Sequence, residues 1–215
     1  MPNATPNATL MRTEDKPATV ETEFVTVQRV LESDAETMAV DAFALSLIKH
    51  ERQLRRLFTY SVFQFPSFQA TDVTALRSTL AKSDRIYADG FLRGLEVLWP
   101  KTMAQLIGPR NDDLTKSLKQ ATEARNKIFH GQITELGLGR ATLLVLVHDL
   151  REWCTLLGQA ATALVGYDGF GRDSYRKGAD ATLHTRFAAQ IKSVAEYETF
   201  LKSHVERPRK AAKKP

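Results

Sequence analysis

Apolar residues recur every three to four positions along most of the chain, in runs long enough for helices, and no stretch alternates apolar and polar residues as a half-buried strand would. The most continuous stripe comprises Leu143, Leu146, Val147, Leu150, Trp153, Cys154, Leu157, Ala161 and Leu164. It predicts a helix over 140–165 at the centre of the core, entered through a Gly137-Leu138-Gly139 joint. A second long helix is predicted over 34–65 and stopped by Pro66. Leu47, Ile48, Leu54, Leu57, Phe58, Ser61, Val62 and Phe65 form its inner face, with Lys49, Arg52, Arg55 and Arg56 outside. Shorter helices follow over 72–83, capped by Thr71 or Asp72, and over 84–98, where Gly90 and Gly94 invite another backbone close. Pro100 opens a helix that Gly108-Pro109 stops, and Asn111, as N-cap, opens another that runs to Gly131. A last helix over 183–202 places Phe187, Ile191, Val194 and Leu201 on one side. Residues 21–31 fit a short helix or an extended arm. The fold class is all-α, an up-and-down helical bundle with an additional C-terminal helix and disordered termini.

With 215 residues the chain can bury one sizeable core, so the expectation is one helical domain over 23–203. Residues 1–22, opening with a tandem Pro-Asn-Ala-Thr, hold too little apolar content to pack and are read as disordered; 204–215 are read as a flexible basic tail. The single cysteine, Cys154, excludes an internal disulfide. No apolar run is long enough for a bilayer, and the N-terminus lacks the layout of a secretion signal, so a cytoplasmic location is expected. The formal charge of +5 suggests a polyanionic partner, yet five basic residues and one acidic between Glu206 and Pro215 account for +4 of it. The body is nearly neutral.

Candidate chemistry concentrates in Glu123-Ala124-Arg125-Asn126-Lys127-Ile128-Phe129-His130-Gly131. On a helix, Leu114, Leu118, Ala121 and Ile128 lie within about 40° of one line, and Arg125 lies within about 20° of it. An arginine centred on an apolar stripe needs an anion or a row of acceptors. His130 falls in the last turn before Gly131, where the negative end of the helix dipole favours imidazolium and suits a proton carrier near neutral pH. Arg125 supplies a planar fork of donors matched to phosphate oxygens, and Asn126 can hydrogen-bond the imidazole, a phosphate or a ribose hydroxyl. On one straight helix Arg125 and His130 stand about 140° apart, so they converge only if the helix unwinds at the glycine or if two copies meet across a two-fold axis.

Arg125-Asn126, three residues, then His130 resembles the signature of the HEPN family. The resemblance covers about residues 33–165 and implies a helical bundle that dimerises, so that two motifs form one composite, metal-independent endoribonuclease site. It makes Arg125, Asn126 and His130 the catalytic residues and RNA the substrate, with no cofactor and no metal. A toxin or antiviral-defence role, with a cognate antitoxin or regulatory protein as partner, is the implied setting. Family members silenced by adenylylation of a tyrosine carry it two residues after the histidine; here Gln132 stands there. Lys127, beside the motif, is a further RNA contact, as are Arg172 and Arg176 in the glycine- and aromatic-rich stretch 166–178. The plainer and preferred reading of that stretch is a loop pinned to the bundle by Tyr167, Phe170 and Tyr175. The alternative for the whole chain is a non-catalytic helical module that binds RNA or a partner protein, with Arg125 and His130 kept for packing. His50-Glu51 opens like a zinc-protease helix, but Leu54 occupies the second histidine's place.

Overall fold

The computed structural model describes residues 19–129, 139–171 and 173–208. Helices α1 (Val20–Leu31), α2 (Met38–Phe63), α3 (Val73–Ala81), α4 (Ala88–Leu98), α5 (Met103–Ile107), α6 (Asn111–Phe129), α7 (Arg140–Val165) and α8 (Val194–Phe200) follow one another, and the described residues contain no β-strand. The all-α bundle is therefore the fold.

The ambiguous segment near residue 25 is helical. Thr19 closes a capping box with Thr22 at its start, and Val20, Phe24 and Val27, at helical spacing, are buried. Asn111, by contrast, is no N-cap: its backbone is already helical, because a 3-10 turn over Gly108–Arg110 runs directly into α6. The C-terminal helix also departs from expectation. Instead of one helix over 183–202 there is a 3-10 turn at Leu183–Arg186, an extended stretch, α8, and a π-helical turn at Leu201–Val205. The Ala188 N–H donates to the Leu98 carbonyl at 2.8 Å, Phe187 packs edge-on against Phe65, and Ser193 caps α8 by accepting from the Glu196 N–H. Apolar spacing alone could not reveal that the backbone between Phe187 and Ser193 bonds elsewhere.

Helix α2 lies at the centre and packs against α1, α4 and α7. Three of its buried polar residues are hydrogen-bonded, and two of them tie it to its surroundings. Ser46 and Ser61 donate to carbonyls one turn back, and the Ser61 hydroxyl also accepts from Trp99 Nε1 at 2.9 Å. Gln53 Nε2 donates to the carbonyls of Cys154 in α7 and Asp168 beyond it, both at 2.9 Å. Two adjoining apolar clusters result. One joins α1, the first half of α2, the end of α6 and the start of α7; the other joins the second half of α2 with α3, α4, α5, α8 and the later half of α7.

The packed body is longer than 23–203. Gly90 and Gly94 admit the C-terminal turn so closely that a Cβ on Gly90 would stand 2.2 Å from the Val205 carbonyl oxygen. Val205 is completely buried, and Arg207 stacks over the Tyr87 ring and pairs with Asp89 at 2.9 Å. Residues 1–18 and 209–215, expected to be disordered, lie outside the described residues. Among the described residues no helix is long and apolar enough to cross a membrane.

Candidate functional site

Helix α6 carries Arg125, Asn126 and Lys127 on its last turns. Leu114, Ala121 and Ala124 hold its inner face in the core, which turns Arg125 toward the middle of α2. There Arg125 Nη1 stands 3.6 Å from Glu51 Oε1, with 34% and 38% of the two side chains exposed. The arginine on the apolar stripe thus has an anion nearby, supplied by its own chain. An ion pair this exposed, and beyond hydrogen-bond length, contributes about 0–1 kcal/mol, so a phosphate can compete for the guanidinium. Asn126 is exposed and Lys127 half-buried. His130 lies outside the described residues, as does Arg172.

Arg176 is exposed on the 166–178 stretch, whose described part is pinned to α2 as a packing loop is. Tyr167 and Phe170 are buried, and Tyr175 meets Phe63 edge-on. Gly166, at φ 72°, ends α7 in the left-handed conformation that suits glycine. Arg56 Nη1 donates to the Phe170 carbonyl at 2.7 Å, and Gln64 Nε2 donates to the Arg176 carbonyl. Lys177 Nζ donates to the carbonyls of Phe63 and Phe65 at 2.6 and 2.7 Å, closing the C-terminal end of α2, and its partial burial holds its pKa below the usual lysine value. Since Gln64 lies thirteen residues beyond Glu51 along α2, the loop's anchor and the Arg125 pair are about 20 Å apart along the helix axis. One chain does not bring Arg176 to Arg125. Three of the four basic residues in the run on α2 are likewise engaged in holding the fold: Arg56 grips Phe170, and Lys49 and Arg52 pair with Glu23 of α1 at 3.1 and 3.2 Å.

Beside Arg125 lies a feature that the sequence did not announce. A cavity of about 510 Å³ opens between α2, α4, α5 and α6, with Glu51 and Arg125 in its wall. His50 and Trp153 also line it; each is buried, and neither His50 Nε2 nor Trp153 Nε1 has a hydrogen-bond partner among the described residues. Burial lowers the His50 pKa to about 4, so its imidazole is neutral at physiological pH. Cys154 is buried and unreactive, its thiol pKa pushed up by desolvation. His148, Asp149 and Glu152 on α7 bring their ligand atoms within 4.8 Å of one another. Arg110 already grips both Glu152 oxygens, at 2.9 and 3.1 Å, and Ser117 donates to Asp149.

The chain matches no protein-family model, no curated protein and no solved structure.

Proposed function

We propose that the chain is a metal-independent endoribonuclease of the HEPN type, acting as a toxin or antiviral-defence effector at a composite site between two copies. The observation that carries this reading is the position of Arg125. It sits at the C-terminal end of α6, a third exposed, against a carboxylate it can exchange for a phosphate, and five residues before His130. In this reading Arg125 stabilises the extra negative charge on the phosphorus-centred transition state. His130 assists proton transfer at the attacking 2′-hydroxyl or at the leaving 5′-oxygen, and Asn126 orients the groups. The products are a 2′,3′-cyclic phosphate and a 5′-hydroxyl. Lys127 adds a backbone contact, and Arg172 and Arg176 are the further RNA contacts of this reading.

Labelled RNA incubated with the protein in EDTA is the test. Cleavage should appear, and Arg125→Ala and His130→Ala should each reduce it by at least about a hundredfold while circular dichroism stays unchanged. Intact RNA with the wild-type protein across several substrates rejects the nuclease. A second reading has its own support: because Glu51 of the same chain faces Arg125, the pair also fits a non-catalytic helical module that binds RNA or a partner protein. In that case Arg125→Ala and Glu51→Gln lower stability by similar amounts and RNA remains intact.

A further inference from the structure

The cavity beside Arg125 has a mixed wall. Leu47, Leu92, Met103, Leu118 and Trp153 give it an apolar body. Around that body stand four cationic side chains, Arg93, Lys119, Arg125 and Arg207, and three carboxylates, Glu51, Asp89 and Glu96. Each carboxylate is already engaged. Asp89 accepts from Arg93 at 2.7 Å and from Arg207 at 2.9 Å, Glu51 faces Arg125, and Glu96 Oε1 accepts from the Met103 N–H at 3.1 Å at the start of α5. Lys119 is exposed and has no ion pair among the described residues. Glu96 likewise has no ion pair among the described residues, so the sign of the wall is set by its totals, four cations against three carboxylates.

We propose that this cavity binds a small amphipathic anion, with the apolar body of the ligand between α2, α4, α5 and α6 and its anionic head on Lys119. Three features carry the assignment. The volume is that of a site for a drug-sized molecule, large enough for an aliphatic chain of about twelve carbons or a pair of fused rings. The lining is mostly apolar, so a fully polar solute gains little from entering. The wall carries four cations against three carboxylates, and this net positive charge favours an anionic head over a neutral or cationic one. His50 and Trp153, both buried, also line the cavity. Glu51 and Arg125 share this wall, so an occupant restrains the candidate RNA site from behind. That consequence rests on the nuclease reading; the binding does not.

Isothermal titration calorimetry of the full chain with dodecanoate and dodecyltrimethylammonium below their micellar concentrations, and with dodecanol below its solubility limit, tests it. Dodecanoate should bind at one site, at least about tenfold more tightly than either of the others. Lys119→Glu should abolish that preference, and Ala104→Trp, an added bulk on the cavity wall, should weaken binding of dodecanoate by at least about tenfold. Both positions are exposed, so the variants keep the fold, which circular dichroism verifies. No binding of dodecanoate, equal binding of the three probes, or dodecanoate binding unaffected by Ala104→Trp overturns the proposal. RNA cleavage measured in parallel separates the two readings, since the cavity can bind dodecanoate in a protein that leaves RNA intact.

Discussion

His50 is fully buried on the central helix with Nε2 unpartnered among the described residues, and the cost of protonating it there is a cost to folding in acid. Its pKa falls from 6.5 to about 4 on folding, so between those values the unfolded chain takes up a proton that the folded chain refuses. Stability from this residue is intact above about pH 6.5, declines as pH falls, and has lost about 3 kcal/mol by pH 4. Urea denaturation at pH 7.5 and pH 4.5 should show His50→Phe losing less stability on acidification than the wild type. An equal loss in both would place the acid sensitivity elsewhere. Phenylalanine also removes the unsatisfied nitrogen, so the variant should be at least as stable as the wild type at pH 7.5. The sequence marked His50 only as the first half of a metal motif that Leu54 breaks. Its burial was not legible, because a histidine on a helix's apolar face looks the same whether solvent or a tryptophan stands opposite. Arg125 is the converse case: its place on the stripe of Leu114 and Ala121 showed that an anion was needed, but Glu51 lies 74 residues earlier and no local pattern links the two.

At the scale of elements, legibility follows how far the determining contacts are in sequence. Helix α7 has the bounds that its own stripe gives, from Arg140 to Val165, since periodicity and the glycines at both ends are local. Gly90 and Gly94 signalled a close approach on α4 without saying by what; the partner is the turn ending at Val205. That contact is tight enough to test. Gly90→Ala sets a methyl group against a backbone carbonyl that cannot move without lifting Val205 out of the core, and should cost about 2 kcal/mol or more. Its thermal unfolding midpoint should fall by several degrees, whereas Gly139→Ala, where a Cβ meets nothing, should leave it nearly unchanged. A wild-type midpoint for Gly90→Ala would mean that the C-terminal turn contributes little to the fold. The stretch before α8 shows where local reading fails: Phe187, Ile191 and Leu201 are all buried as the helical spacing suggested, yet Phe187 and Ile191 reach the core from outside any helix and Leu201 from the π-helical turn.

For the whole molecule, the question raised by the motif is whether Arg125 and His130 act from one chain or two. If each composite site draws on both copies, mixing the inactive Arg125→Ala and His130→Ala proteins at high concentration should restore measurable cleavage, because a mixed pair retains one arginine and one histidine. No recovery after exchange of subunits would confine the chemistry to single chains. The bundle class could be read from the sequence, since every long apolar run had the same period. The cavity could not, because its wall joins residues from Leu47 to Arg207 on five helices and the segment after α8.

The polar residues inside α2 have a mechanical consequence. Gln53 grips α7, Ser61 holds Trp99 and Gln64 holds the 166–178 loop, and a slip of α2 by even one residue would strand all three at once. The helix is therefore indexed like a keyed shaft, and its neighbours can share only one alignment along it. Glu51 rides on that shaft, so its place opposite Arg125 is set by the same three grips.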